Sequence, residues 1–381
     1  MSEQTLEKEV RTGRQWPKIF SFMSIRSWIT AIVAVVFLAW AYFGASEVTL
    51  YYVDIALLAI LSALALNFLM GNAGLVSVGT GTFQGVGAYM IVMTGFMLPD
   101  APAWLTLPIA LVLGALAAGV VGFLIGIPSL RLAGLYLLFA TLALVEIGLY
   151  VFQEIDAQSN KLSGHRVAAP EVFGIKIISE QQWFIALLVL AAIAVWFIYN
   201  ISSGDPGRIL AAVKANQNAA AAMGIGVVSA KMRTFLTMSM LTGFAGAVSA
   251  YFVRSVGGEF YTFNLAVTFI AMGLVGGLGT VRGSVIGAFV ISFLPYVVSM
   301  GLRSGMFGPA TDYVSLHQAE LQTILYGGLI VLFIFFFPGG VESLINRRWG
   351  KKQRKEQRKE LADLVIGQGV LPKKEVVTDE Q

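Results

Sequence analysis

Side chains able to do chemistry are few in this sequence and stand far apart. His165 and His317 each lack a second ligand nearby in sequence, and the chain has no cysteine. No metal site, thiolate nucleophile or disulfide is therefore expected. No spacing matches a catalytic triad or a paired-carboxylate site, so no catalytic residue is assigned. The sequence G-x-x-x-x-G-K-[ST] does not occur, so the chain carries no phosphate loop of that type. Glu146 is the one ionisable side chain expected well inside a membrane span. A lone carboxylate there is costly and should face the interior or a partner. It either lines a path through the protein or sits near the outer interface in a structural hydrogen bond. Thr141, little more than one turn earlier, is expected to share its face.

The elements that would hold such residues are apolar helices. Of 381 residues, 57% are hydrophobic and 13% charged, against about 25% charged in a soluble domain. This is the composition of an all-α polytopic membrane protein with eight to ten spans. The expected spans are 28–45, 53–70, 83–97, 105–127, 130–152, 183–199, 233–253, 265–280, 284–300 and 321–337. The third and eighth are short and glycine-broken, as re-entrant or broken helices are. Residues 1–27 form an expected cytoplasmic tail, 28–340 the membrane domain and 341–381 a basic cytoplasmic tail. With the N-terminus inside, the outer loops hold only Lys161, Arg166, Lys176, Arg254 and Arg303 of the 26 Lys and Arg. That asymmetry satisfies the positive-inside rule and places both termini in the cytoplasm. The basic run from Arg347 to Lys359 follows a span, so it reads as an anchor near anionic lipid rather than a nucleic-acid patch.

Between Gly71 and Met90 the glycines Gly71, Gly74, Gly79, Gly81, Gly85 and Gly87 lie among Ser77, Thr80 and Thr82. Small residues either let helices approach closely or let backbone turn back beside a cavity. A related pattern recurs at Gly273–Phe289, where Gly279-Thr280, Gly283 and Gly287-Ala288-Phe289 echo Gly81-Thr82, Gly85 and Gly87-Ala88-Tyr89. An internal repeat with the substrate path at its interface is one reading. Chance in a glycine-rich chain is the other. The residues expected along a path are Ser77, Gly79, Thr80, Phe83, Gly85, Gly87, Thr141, Glu146, Gly276 and Gly277.

The segment 203–226 is the longest polar, helix-competent stretch between apolar runs. Pro206 suits a helix start, and Gly224 and Gly226 suit its end. It is either a docking helix for a soluble partner or an ordinary loop with a helical turn. The largest outer loop, 153–182, contains Asn160, Ser163, Gly164, His165, Arg166 and Glu171. It reads as a lid, a docking surface or a solvated loop.

Four stretches in order carry a resemblance: GLVSVGTGTFQGVGAY (74–89), LRLAGLYLLFATLALVEI (130–147), PGRILAAVKANQNAAAAMGIGV (206–227) and MGLVGGLGTVRGSVIGA (272–288). The chain resembles the permease subunits of ABC importers for branched-chain amino acids, the LivM-type proteins. The resemblance implies a homologous second permease, two cytoplasmic ATPase subunits that bind ATP and Mg, and an extracytoplasmic substrate-binding protein. It implies a bacterial inner membrane and no cofactor or enzymatic activity in this chain. It also implies that Gly207, Arg208, Ala212, Asn216, Ala221 and Gly224 belong to the segment that couples ATP hydrolysis to transport. The outer loop departs from the family's N-x-x-T-G-G-like stretch, reading Asn160-Lys161-Leu162-Ser163-Gly164-His165. Similar permeases are associated with urea, short amides and other amino acids, so those cargoes stay open beside leucine, isoleucine and valine. An autonomous channel or ion-driven carrier is the competing class, against which the scarcity of intramembrane ionisable residues counts.

Overall fold

Long apolar runs become long helices, and glycine or proline decides where each one stops. The computed structural model describes residues 46–98, 102–129, 135–159, 164–172 and 175–303, with single positions at 44, 320, 324, 327, 328, 331, 332 and 340. The expected span 28–45, most of 321–337, Asn160, His317 and the basic tail lie outside the described residues.

The helices in order are α1 (Glu47–Asn67), α2 (Thr80–Met97), α3 (Ala103–Ser129), α4 (Leu135–Gln158) and α5 (Glu180–Ser203). There follow α6 (Asp205–Ala215), α7 (Gln217–Ala222), α8 (Val227–Val253), α9 (Phe263–Gly276), α10 (Val281–Ser292) and α11 (Leu294–Arg303). Among the described residues, six segments are long and apolar enough to cross a membrane: Glu47–Asn72, Trp104–Ile127, Tyr136–Gln158, Glu180–Ser203, Val227–Val253 and Gly258–Gly276.

α2 is not among those six, although its 18 residues reach about 27 Å. Its polarity is affordable because protein, not lipid, surrounds it: Thr80, Thr82, Gln84 and Thr94 are all buried. α3 and α8 pack along it most extensively. The contact is backbone against backbone. A Cβ on Gly87 would overlap the carbonyl of Gly243, and one on Gly246 the carbonyl of Gln84. Phe83 and Phe235 close the interior edge to face, with ring centres 5.7 Å apart.

Two expected spans contain short helices, and α9 reaches crossing length only together with the turn Gly258–Phe260 before it. α9 has 14 residues, about 21 Å. It ends where Gly277 takes φ 121° and Gly279 φ 82°, angles that L side chains rarely adopt. The expected span 284–300 is broken at Phe293, immediately before the Leu294-Pro295 start of α11, because proline cannot continue a hydrogen-bonded helix. α9 and α10 pack through glycine as tightly as α2 and α8: Gly287 lies under the carbonyl of Met272, and Gly276 under that of Gly283.

Outside the helices, β1 (His165–Arg166) pairs antiparallel with β4 (Ser255–Val256), with His165 opposite Val256. β2 (Glu171–Val172) pairs with β3 (Ile175–Lys176). Ser179 then starts α5 with a capping box, accepting from Gln182 N–H while the Gln182 side chain reaches back.

Candidate functional site

Segment 203–226, read as a docking helix or a loop with a helical turn, forms two helices. α6 ends at Ala215 because Asn216 is extended (φ −159°, ψ 109°) and its Oδ1 accepts from the N–H groups of Asn218 and Ala219. Asparagine competes with the helical backbone in this way and restarts the helix as an N-cap. Gly224 (φ +83°) closes α7, with Ile225 N–H returning to Ala220 C=O.

Arg208, Ala212, Asn216, Ala221 and Gly224 are all exposed on this helix pair, and Met223 projects beyond them. Gly207 is the exception among the expected coupling residues. It is buried, and a Cβ there would overlap the Ser202 carbonyl at the end of α5. Arg208 reaches Asp205 at 3.3 Å with both side chains largely in solvent, an ion pair of little weight. A cavity of about 510 Å³ separates part of α6, at Ile209 and Leu210, from Arg233 and Thr234 of α8.

Two polar ties hold the pair to the bundle, and a third braces the end of α5 from which α6 departs. Asn72 Nδ2 donates to Ser202 Oγ at 2.7 Å. Lys231, buried in α8, donates to Gln217 Oε1 at 3.0 Å. Lys214, in the last turn of α6, donates from Nζ to the Gly71 carbonyl at 2.5 Å.

Gly71 lies in the π-helical turn Phe68–Asn72 that follows α1. Beyond it the chain runs without helix from Ala73 to Val78, and the freed backbone groups find other partners. Val78 N–H donates to Thr141 Oγ1 at 3.1 Å, and Gly79 N–H to Ser77 Oγ at 3.2 Å. Buried backbone requires such partners. Gly71 also meets the second glycine-rich stretch, for a Cβ on it would overlap the backbone of Gly279. Asn67 fastens that junction. Its Nδ2 donates to Gly277 O (3.2 Å), Thr280 O (3.0 Å) and Ser284 Oγ (2.5 Å), and its Oδ1 accepts from Gly279 N–H (2.8 Å). Neither Asn67 nor the role of Lys214 stood out in the sequence.

Ser77, Thr80, Phe83 and Thr141 are enclosed by this chain, as are Gly79, Gly85, Gly87, Gly276 and Gly277. Glu146 is exposed on α4, beside Ile147 and Tyr150. It does not share a face with Thr141, because five residues turn a helix by about 140° beyond a full circle. Nor is it the lone intramembrane carboxyl. Asp54, fully buried in the second turn of α1, lies against Glu180 at the start of α5. The expected span began at residue 53, so Asp54 read as an edge residue.

The outer loop is not merely solvated. His165 is buried, with Nε2 3.3 Å from Asp156 Oδ1. Tyr89 Oη donates to the same carboxylate (2.8 and 2.9 Å), and Gly258 N–H donates to its Oδ2 (2.9 Å). The cluster joins α2, α4, β1 and the short helix Gly258–Phe260.

The described residues thus form a helical membrane bundle whose interior is broken at two glycine-rich stretches, with an exposed helix pair tied to one of them. Residues 48–334 match the family model described as branched-chain amino acid transport system / permease component, and the chain belongs to that family. It is 27% identical to the high-affinity branched-chain amino acid transport system permease protein LivM of Escherichia coli (strain K12), over 81% of this chain and 74% of that protein. The LivM protein of Salmonella typhimurium is 26% identical, over 76% of this chain and 69% of its own. The guanosine ABC transporter permease protein NupP of Bacillus subtilis is 30% identical, over 67% of this chain and 75% of its own. No solved structure matches the chain.

Proposed function

We propose that this chain is one transmembrane half of an ATP-driven importer of branched-chain amino acids. It works beside a homologous second permease, above two cytoplasmic ATPase subunits that hold ATP and magnesium, and receives cargo from an extracytoplasmic binding protein. Its membrane is the inner membrane of a bacterium, with both termini in the cytoplasm.

The observation that carries this reading is the exposed surface of α6 and α7. Arg208, Ala212, Ala221 and Gly224 present small side chains and one cation away from the bundle, which suits close docking of a soluble partner. The substrate path runs along the exposed face of α4 that bears Glu146, a position too costly for an ionised group to share with lipid. Ser77, Gly79, Thr80, Phe83, Gly85, Gly87, Thr141, Gly276 and Gly277 join that path when the glycine-rich breaks rearrange.

The cargo rests on the two LivM relatives. A nucleoside is the second reading, favoured by the guanosine permease among the relatives. Uptake of labelled leucine by cells with and without the gene tests the choice, with valine, urea and guanosine as competitors. Leucine uptake falls on deletion and valine competes. Unchanged leucine uptake with loss of guanosine or urea uptake overturns the amino-acid assignment. Arg208→Glu and Ala212→Trp uncouple ATP hydrolysis from import in the assembled complex; normal import by both overturns the coupling surface.

A further inference from the structure

We propose that Lys214 is the strut through which movement of the coupling helix reaches both glycine-rich breaks. This rests on the importer reading above and assigns a positioning residue within it.

The geometry singles out Lys214 among the ties of α6 and α7. The Ser202–Asn72 bond joins α5 to the π-helical turn, and the Lys231–Gln217 bond joins α7 to α8. Lys214 alone among those ties runs from the coupling pair to a glycine of the breaks. It meets the break twice. Its ammonium donates to the Gly71 carbonyl, and its methylenes lie against Gly74, where a Cβ would come 3.3 Å from Cγ. The charge is well placed, because the last carbonyls of a helix lack intrahelical partners and carry its negative end.

Past Gly71 the linkage is stiff. The Gly71 and Gly279 backbones touch with no room for a methyl group, and Asn67 grips four groups of the turn 277–284. A shift of Gly71 therefore carries Gly279 with it. α6 also rests on the bundle through Leu210 and Val213, which are buried, with a cavity of about 510 Å³ beside Ile209 and Leu210. Those apolar contacts can slide, whereas the Lys214 hydrogen bond ties a push on the exposed surface of α6 to the Gly71 carbonyl.

The test uses Lys214→Met, which keeps the methylenes and removes the donor, and Lys214→Arg, which restores a charged donor. Amide exchange is measured on the full chain in lipid nanodiscs. Lys214→Met speeds exchange by about fivefold or more at Gly279 N–H as well as at residues 73–79, and Lys214→Arg returns both towards wild type. Acceleration confined to 73–79, with Gly279 unchanged, overturns the proposal. In the reconstituted complex Lys214→Met assembles and hydrolyses ATP but imports less cargo per ATP, by about fivefold or more. An unchanged ratio overturns the proposal as well. If the wild-type complex imports nothing with ATP, the importer reading fails, while the exchange result still decides whether Lys214 links the two breaks.

Discussion

Tyr89 of α2 and Asp156 of α4 share two short contacts, Oη lying 2.8 and 2.9 Å from the carboxylate oxygens. Asp156 also takes the Gly258 N–H and faces His165, so one buried carboxylate joins four segments. Tyr89→Phe keeps the ring stacked on Phe152 (4.7 Å, 6°) and removes only the hydroxyl. The expected loss is about 1.5–3 kcal/mol, as for a hydrogen bond to a charged group. Asp156→Ala costs more, since it leaves the Gly258 amide unpaired and the Tyr89 hydroxyl with only the Phe152 carbonyl at 3.4 Å. Thermal unfolding in detergent checks both; equal midpoints for Tyr89→Phe and wild type refute the role.

Glycine packing between α2 and α8 sets up a sharper contrast. Gly87→Ala must force Gly243 away, whereas Gly95→Ala meets nothing within 4 Å. The first is expected to lose about 3 kcal/mol or more, because backbone cannot yield as a flexible side chain does. The second leaves stability unchanged or slightly improved. The yield of monodisperse protein by size exclusion separates them.

On the exposed surface of α6 and α7, Gly224 (φ +83°) has open space around the position of a Cβ. Any cost of Gly224→Ala is therefore conformational, about 1 kcal/mol, and Gly224→Asn costs less because asparagine tolerates the left-handed region. Helix content and unfolding midpoints of the two variants check the order.

The chain contains no cysteine, so single cysteines report cleanly on access. Glu146→Cys in the assembled transporter is expected to react with a hydrophilic maleimide, and Thr141→Cys to resist it. Reversed reactivities would place the path inside this chain rather than along the face of α4.

How far the sequence disclosed this fold depends on what each helix faces. α3, α5 and α8 contain the expected spans 105–127, 183–199 and 233–253 almost unchanged. Two of them present long apolar runs outward: Val112, Leu116, Val120 and Phe123 on α3, and Ile185, Val189, Ile193 and Trp196 on α5 are all exposed. α2 was harder to read because its neighbours are protein. Segment 203–226 was legible as polar and helix-competent, but its break was not, since Asn216 caps rather than continues. Asn67 was hidden because its partners lie more than 200 residues away in sequence. His165 lay in a loop that read as a lid, a docking surface or a solvated loop, and its burial depends on strand pairing with Val256 that the local sequence does not show.

The burial of α2 bears on how the protein is made. The buried Thr80, Thr82, Gln84 and Thr94 of α2 gain nothing from lipid, and the surface that shelters the helix includes α8, which leaves the ribosome some 150 residues later. α2 therefore settles only when α8 has arrived, and the interior of the permease is sealed late in synthesis. A nascent chain cut before Val227 would hold its most glycine-rich helix without the partner that lies across it.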